Sequence, residues 1–230
     1  MSKHFQFIKS AVAERKKLLA ILVDPDKFKE SEIEFFLNKI PQETTHIFVG
    51  GSTGESSKTQ KTVLAIKEVT KLPVVLFPGD YQQITEKADA LLFISLISGR
   101  NPEYLIGQQI KSVSKLKNSS LEIIPTGYIL IDGGKECAVQ RVSKTLPIPQ
   151  TEVQQIVDTA LAGQFSGKKL IYLESGSGAE IPVSEEIISE VKKAINIPLI
   201  VGGGIRTSSQ QQKAYTAGAD MIVMGTIFEN

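Results

Sequence analysis

The chain has 230 residues, 41% of them apolar, and a formal charge of +1 at pH 7. That length suits one α/β domain burying roughly 70–75% of its unfolded surface, and its Lys and Arg are spread too evenly to leave an electrostatic footprint for nucleic acid. A single cysteine, Cys137, excludes an internal disulfide; with no leader pattern and no apolar run of about 18 residues, we expect a soluble cytoplasmic protein.

An amphipathic segment, Phe5–Lys17, opens the chain and is placed to plug a barrel floor. Leu18–Val23 follows as a first buried strand and ends in Asp24-Pro25-Asp26-Lys27. After a helical pattern over Ser31–Ile40 comes a second strand, His46–Gly50, which runs into Gly51-Ser52-Thr53-Gly54. The next helix spans Thr59–Thr70, and strands Val74–Pro78 and Ala90–Ile97 are separated only by Gly79–Asp89, too little for a full wall helix. The fifth strand, Leu121–Ile131, leads into a long loop, Asp132–Gln150, of the kind that can cover a site. Thr151 with Gln154 reads as a capping box for the following helix. Leu170–Glu174, Leu199–Gly202 and Met221–Gly225 complete eight strands. Between them, Ser184 suits an N-cap, and Thr207 with Gln210 a second capping box. Most strands are continuous Val/Ile/Leu runs, as in sheets covered on both faces. The alternation predicts a single (β/α)8 TIM barrel over residues 1–230, modified by the short connection between strands 3 and 4. Five residues follow Gly225, so the eighth helix is expected to be missing or barely begun.

The last three strands each run into glycines: Ser175-Gly176-Ser177-Gly178, Gly202-Gly203-Gly204 and Gly225-Thr226. Glycine after a parallel strand lets bare N–H groups approach an anion, and this spacing matches the phosphate cradle at the end of a barrel. Glu174 stands beside that cradle, either as a general base or as a structural carboxylate pairing with Lys or Arg. Tyr172 either bonds the phosphate or packs in the barrel, and Arg206 either neutralises phosphate or caps the next helix. Asp24 with Ser52 makes a hard-oxygen site for Mg2+; the alternatives for Asp24 are a helix N-cap or a loop salt bridge. Asp26 reads as solvated. Lys58 and Lys135 lie on loops that reach toward a diphosphate, or are plain surface charges. His4 and His46 sit at the inert end, there is no His/Cys cluster for zinc, and Ser175 and Ser177 have no histidine for a hydrolase triad.

These pieces resemble the geranylgeranylglyceryl phosphate synthase family, which includes bacterial heptaprenylglyceryl phosphate synthases. The resemblance spans nearly the whole chain. It rests on Leu22-Val23-Asp24-Pro25-Asp26-Lys27, Gly50-Gly51-Ser52-Thr53-Gly54, Ser98-Gly99-Arg100-Asn101-Pro102, Tyr172-Leu173-Glu174-Ser175-Gly176-Ser177-Gly178, Gly202-Gly203-Gly204-Ile205-Arg206 and Gly225-Thr226. It implies a Mg2+-dependent prenyltransferase that joins geranylgeranyl diphosphate to sn-glycerol 1-phosphate through an ether and releases diphosphate. Asp24 and Ser52 would then bind the metal. Tyr172, Leu173, Glu174, Ser175, Gly176, Ser177, Gly178, Gly203, Gly204, Gly225 and Thr226 would hold glycerol phosphate, with Glu174 taking the hydroxyl proton. The tail would lie near Tyr81, Phe93 and Tyr104, in the trough left by the short connection. A homo-oligomer with at most transient membrane-surface contact is expected. Two positions depart from the family pattern: Gly225-Thr226 replaces the Gly-Asn of many members, and Leu22 stands where some members carry a lysine. Another cation then serves the phosphates, or fewer contacts are made. The competing readings are a longer-tailed heptaprenyl enzyme, a sugar-phosphate isomerase and a non-catalytic phosphate-binding barrel.

Overall fold

Strand periodicity alone decides which side chains enter the barrel. Successive residues of a strand point to opposite faces, so even-numbered and odd-numbered positions separate into two layers. A computed structural model describes residues 2–29, 31, 33–51 and 56–225. In it β1 (Leu18–Val23), β2 (His46–Val49), β3 (Val74–Leu76), β4 (Ala90–Leu96), β5 (Glu122–Leu130), β6 (Leu170–Glu174), β7 (Leu199–Gly202) and β8 (Met221–Met224) pair in sequence order, all parallel. Pairing of Leu18 with Met221 closes β8 onto β1. The eight predicted strands are all present, each within a residue or two of its expected limits.

Inside the ring, Ala20, Phe48, Leu92, Tyr128, Tyr172 and Ile200 form one apolar cluster. Ile21, Ile47, Leu76, Ile129, Leu173 and Val201 form another, between the strands and the surrounding helices. The sheet is therefore packed on both faces, and its strands bury as continuous apolar runs.

The floor is closed by α1 (Lys3–Ala13), whose Phe5 and Ile8 enter the inner cluster. Its first turn is tied down by Glu122, the first residue of β5, which accepts the N–H groups of His4 at 2.7 Å and Phe5 at 2.8 Å. A carboxylate at a helix N-terminus satisfies orphan donors and complements the dipole. The helix stops short of Lys17 because Arg15 takes a left-handed backbone (φ 57°) to turn into β1.

Around the wall run α2 (Ile33–Lys39), α3 (Ser56–Val69), α4 (Gln108–Leu116), α6 (Val153–Phe165), α7 (Glu185–Ala194) and α8 (Ser208–Ala217), with a short α5 (Ala138–Ser143) inside the β5–α6 loop. Ser184 caps α7, and Thr207 with Gln210 forms the expected capping box on α8. The box expected from Thr151 and Gln154 is not formed. Glu152 N–H bonds to Pro149 O in a preceding turn, α6 begins at Val153, and the Gln154 amide donates to Asp158 one turn on. Between β3 and β4 there is only a 3-10 turn, Tyr81–Gln83, so that stretch of wall has no α-helix of its own. A π-helical turn, Glu103–Gly107, leads into α4; nothing in the apolar spacing announced it.

Candidate active site

Parity carries Leu170, Tyr172 and Glu174 of β6 toward the axis, with Glu174 last and therefore at the mouth. Its carboxylate is 5% exposed, and Oε1 accepts the Gly176 N–H at 2.7 Å. Oε2 and the Tyr172 hydroxyl converge over Gly202, where a Cβ would run into both. Burial pushes the Glu174 carboxyl up to about 7, against the lowering effect of the Gly176 N–H and the neighbouring Tyr172 hydroxyl. That hydroxyl influences the carboxylate electrostatically, but among the described residues it has no hydrogen bond of good geometry, and neither has the buried Ser175 hydroxyl. The Tyr172 ring stacks between Phe77 (5.1 Å) and Tyr128 (5.4 Å), filling the barrel under the site. Burial holds both phenols well above their usual range, so they stay protonated.

Next to Glu174 the glycine turns after β6, β7 and β8 meet. Gly203 shows why the residue type matters: its φ is +85°, and a Cβ there would lie 2.5 Å from both Glu174 Oε1 and Ser175 Oγ. Ser177, Gly178, Gly203, Gly204 and Gly225 line a cavity of about 360 Å3 together with Tyr172 and Glu174. Ser175 and Gly176 sit just behind its surface. Leu173 is a correction to the expected set, because odd parity turns its fully buried side chain outward under the helices. Thr226 lies outside the described residues. Arg206 lines the cavity and donates from Nη2 to Ala179 O at 2.7 Å, bracing one glycine loop against the next, while α8 takes its cap from Thr207.

From the loops the cavity runs across the β3–β4 wall. Of the outer-face residues of β4, Phe93 is partly exposed there while Leu91 stays fully buried; both line the cavity, and Tyr81 and Tyr104 join them. All three residues expected around a tail are thus brought to one trough. Tyr81 is flanked by Lys111 and Lys115 of α4, 5.9 and 5.8 Å from its ring. Sequence reasoning missed two parts of this lining. Ala138, Val139 and Val142 of α5 roof it, but six residues are too few to show a helical period. Phe77 lines its base, and the alternation Val75, Phe77 was the signal available.

On the opposite rim Asp24 follows β1 and faces the cavity. Its Oδ1 accepts the Asp26 N–H at 3.0 Å, Lys27 Nζ is 3.8 Å from Oδ2, and Gly51 is close enough that a Cβ would fall 3.1 Å from Oδ1. Ser52, its expected partner, lies outside the described residues. Asp26 turns to the surface and pairs with Lys58 at 2.9 Å. His46 is at the floor, with Nδ1 on the Thr45 hydroxyl at 2.8 Å and burial pushing it down to about 4, so it is neutral and remote from the mouth.

Fold and site together define a (β/α)8 barrel in which a pocket of glycine turns, a buried acid and an apolar trough meet at one point. The chain belongs to the PcrB family, whose model matches residues 11–230. It is 60% identical over 230 residues to the geranylgeranylglyceryl phosphate synthase of Zunongwangia profunda, covering 100% of this chain and 98% of the relative. The Flavobacterium johnsoniae enzyme of the same name is 52% identical over 226 residues, covering 98% and 93%. Among solved structures, (S)-3-O-geranylgeranylglyceryl phosphate synthase from Thermoplasma acidophilum, in complex with its substrate sn-glycerol-1-phosphate, superposes with a TM-score of 0.90 at 36% identity, covering 100% of this chain and 93% of that one. No helix among the described residues is long and apolar enough to cross a membrane.

Proposed function

We propose that this chain joins sn-glycerol 1-phosphate to geranylgeranyl diphosphate through an ether. One observation carries the reading: Glu174, buried and held near 7, sits where the glycine cradle and the apolar trough meet. The bare N–H groups of the three loops bind the glycerol phosphate through its phosphate and so fix its free hydroxyl. The trough receives the prenyl tail and directs its allylic carbon to the mouth. A C–O bond forms between the glycerol oxygen and that carbon as the bond to diphosphate breaks, diphosphate leaving with the electron pair. Glu174 takes the hydroxyl proton, and a carboxylate poised near neutrality is matched to that transfer.

Asp24 fits Mg2+. A rim carboxylate that faces the cavity with a glycine beside it suits an ion that usually takes one or two carboxylates and fills its shell with water and phosphate. When bound, such an ion neutralises charge on the departing diphosphate. Asp24 would hold it, with Ser52 as the second ligand expected from sequence.

The test follows labelled sn-glycerol 1-phosphate into an organic-extractable ether, with prenyl diphosphates of several lengths, with and without chelator. Transfer that requires Glu174 and Mg2+ supports the reading. Intact glycerol phosphate binding with no transfer at any tail length overturns it.

A further inference from the structure

The cradle is rich in N–H donors but poor in charge. Position 22 is a leucine lining the cavity, Arg206 spends a guanidinium nitrogen on Ala179 O, and Lys27 stands beside Asp24 on the other rim. A phosphate held mostly by neutral donors, with Arg206 partly committed to Ala179 O, makes few of the charge-assisted bonds that are roughly twice as strong.

The loop between β5 and α5 brings a second cation to the edge of the cradle. Its backbone is fastened to the loop after β6: Gly133 O accepts the N–H groups of Glu180 at 2.9 Å and Ile181 at 3.0 Å. Gly133 packs against Ser175 O with no room for a side chain, and the Cys137 Cβ packs on Gly176. Lys135 lies between these two anchors. Its Nζ stands 3.4 Å from the point a Cβ on Gly178 would occupy, and Gly178 lines the cavity. Among the described residues this ammonium has no ion pair or hydrogen bond. The acids nearest in sequence are engaged elsewhere: Asp132 accepts the Gly134 N–H at 2.9 Å, and Glu136 pairs with Arg141 at 3.4 Å. Among the described residues, no acidic partner therefore accounts for its place beside Gly178.

We propose that Lys135 is the phosphate-binding cation of this site, its ammonium closing over the phosphate of the glycerol phosphate and supplying the charge that Leu22 does not. The proposal rests on the function above for the identity of that ligand. A flexible lysine suits the task because it acts as a point charge rather than a planar fork.

Calorimetric titration of wild type, Lys135→Met and Lys135→Arg with sn-glycerol 1-phosphate and with inorganic phosphate tests it without requiring turnover. Lys135→Met should weaken glycerol phosphate binding roughly 10- to 100-fold and flatten its dependence on salt, while Lys135→Arg stays within about threefold. In steady state the KM for glycerol phosphate should rise in Lys135→Met, with kcat and the KM for the prenyl diphosphate within about twofold of wild type. Unchanged affinity in Lys135→Met overturns the assignment. So does a rise confined to the prenyl diphosphate KM, or an arginine variant as weak as the methionine one. Wild type that binds glycerol phosphate but transfers no prenyl group removes the enzyme reading and leaves the Lys135 comparison standing on binding. Wild type that binds neither anion overturns both.

Discussion

The floor and the mouth of this barrel each bury an ionisable group, and the two are treated in opposite ways. At the floor His46 is fully enclosed, packed against Phe7 and Phe48 under α1, and burial makes it a neutral, inert ring. Charges nearby are matched: Glu122 caps α1, and Lys192 meets Asp220 at 2.6 Å. At the mouth Glu174 is as deeply buried, yet it opens on a cavity; among the described residues the hydroxyls of its neighbours Tyr172 and Ser175 have no hydrogen bond of good geometry, as His46 Nε2 has none at the floor. Burial at one end removes a charge within packing; at the other it raises a proton affinity beside an open cavity.

The largest effect should come from removing the tuned group. Glu174→Gln keeps the shape and an acceptor for the Gly176 N–H but cannot take a proton, so kcat should fall roughly 100- to 10,000-fold. Wild-type kcat/KM should decline below about pH 7 along a single ionisation, as the carboxylate that accepts the proton is lost. A variant whose residual rate keeps the wild-type pH profile would show that Glu174 is not the base. Next in size is Gly203→Ala. Its methyl collides with Glu174 and Ser175 at a positive φ, so the KM for glycerol phosphate should rise on the order of 100-fold, consistent with a few kcal/mol of strain.

Stability measurements separate the two ends by sign. Glu174 binds its proton more tightly folded than unfolded, so its contribution is lost as pH rises from about 4.5 to about 7. Glu174→Gln should therefore be more stable than wild type at pH 8, by about 3 kcal/mol, with the gain vanishing toward pH 4.5. His46 is the reverse: its folded value is depressed, so stability is lost as pH falls from about 6.5 toward about 4. A His46→Leu variant should abolish that acid-side loss of about 3 kcal/mol, while the change of shape in a packed floor and the lost bond to the Thr45 hydroxyl, which keeps its bonds to the Leu19 backbone, cost stability at pH 7. Urea melts across pH check both. Parallel slopes in the two variants would contradict the opposed burial effects.

Much of this contrast was legible in the sequence. Eight apolar runs, the glycines after the last three strands and the acid beside them carried the barrel and the cradle, because backbone geometry and parity follow directly from residue type. The side of Leu173 was equally available from parity, but a contiguous motif concealed it. What stayed hidden depends on tertiary competition. Gln154 chose Asp158 over a capping box, α5 was too short to show a period, and the place of Lys135 over Gly178 required two loops to be fastened together.

The trough gives the smallest effect and the sharpest division of labour. Phe93 lies on the outer face of β4, half-buried, because no α-helix covers the β3–β4 wall. A tail lying on its ring would lose apolar contact in Phe93→Ala, about 1–2 kcal/mol of transfer energy. That corresponds to a KM for the prenyl diphosphate roughly 5- to 30-fold higher. The KM for glycerol phosphate should not move, since the glycine loops lie across the mouth and Phe93 is not among them. Shorter diphosphates should be affected less once their tails no longer reach β4. An equal loss for every tail length would place the tail elsewhere, and would mean that the uncovered wall serves packing, as the floor does, rather than substrate.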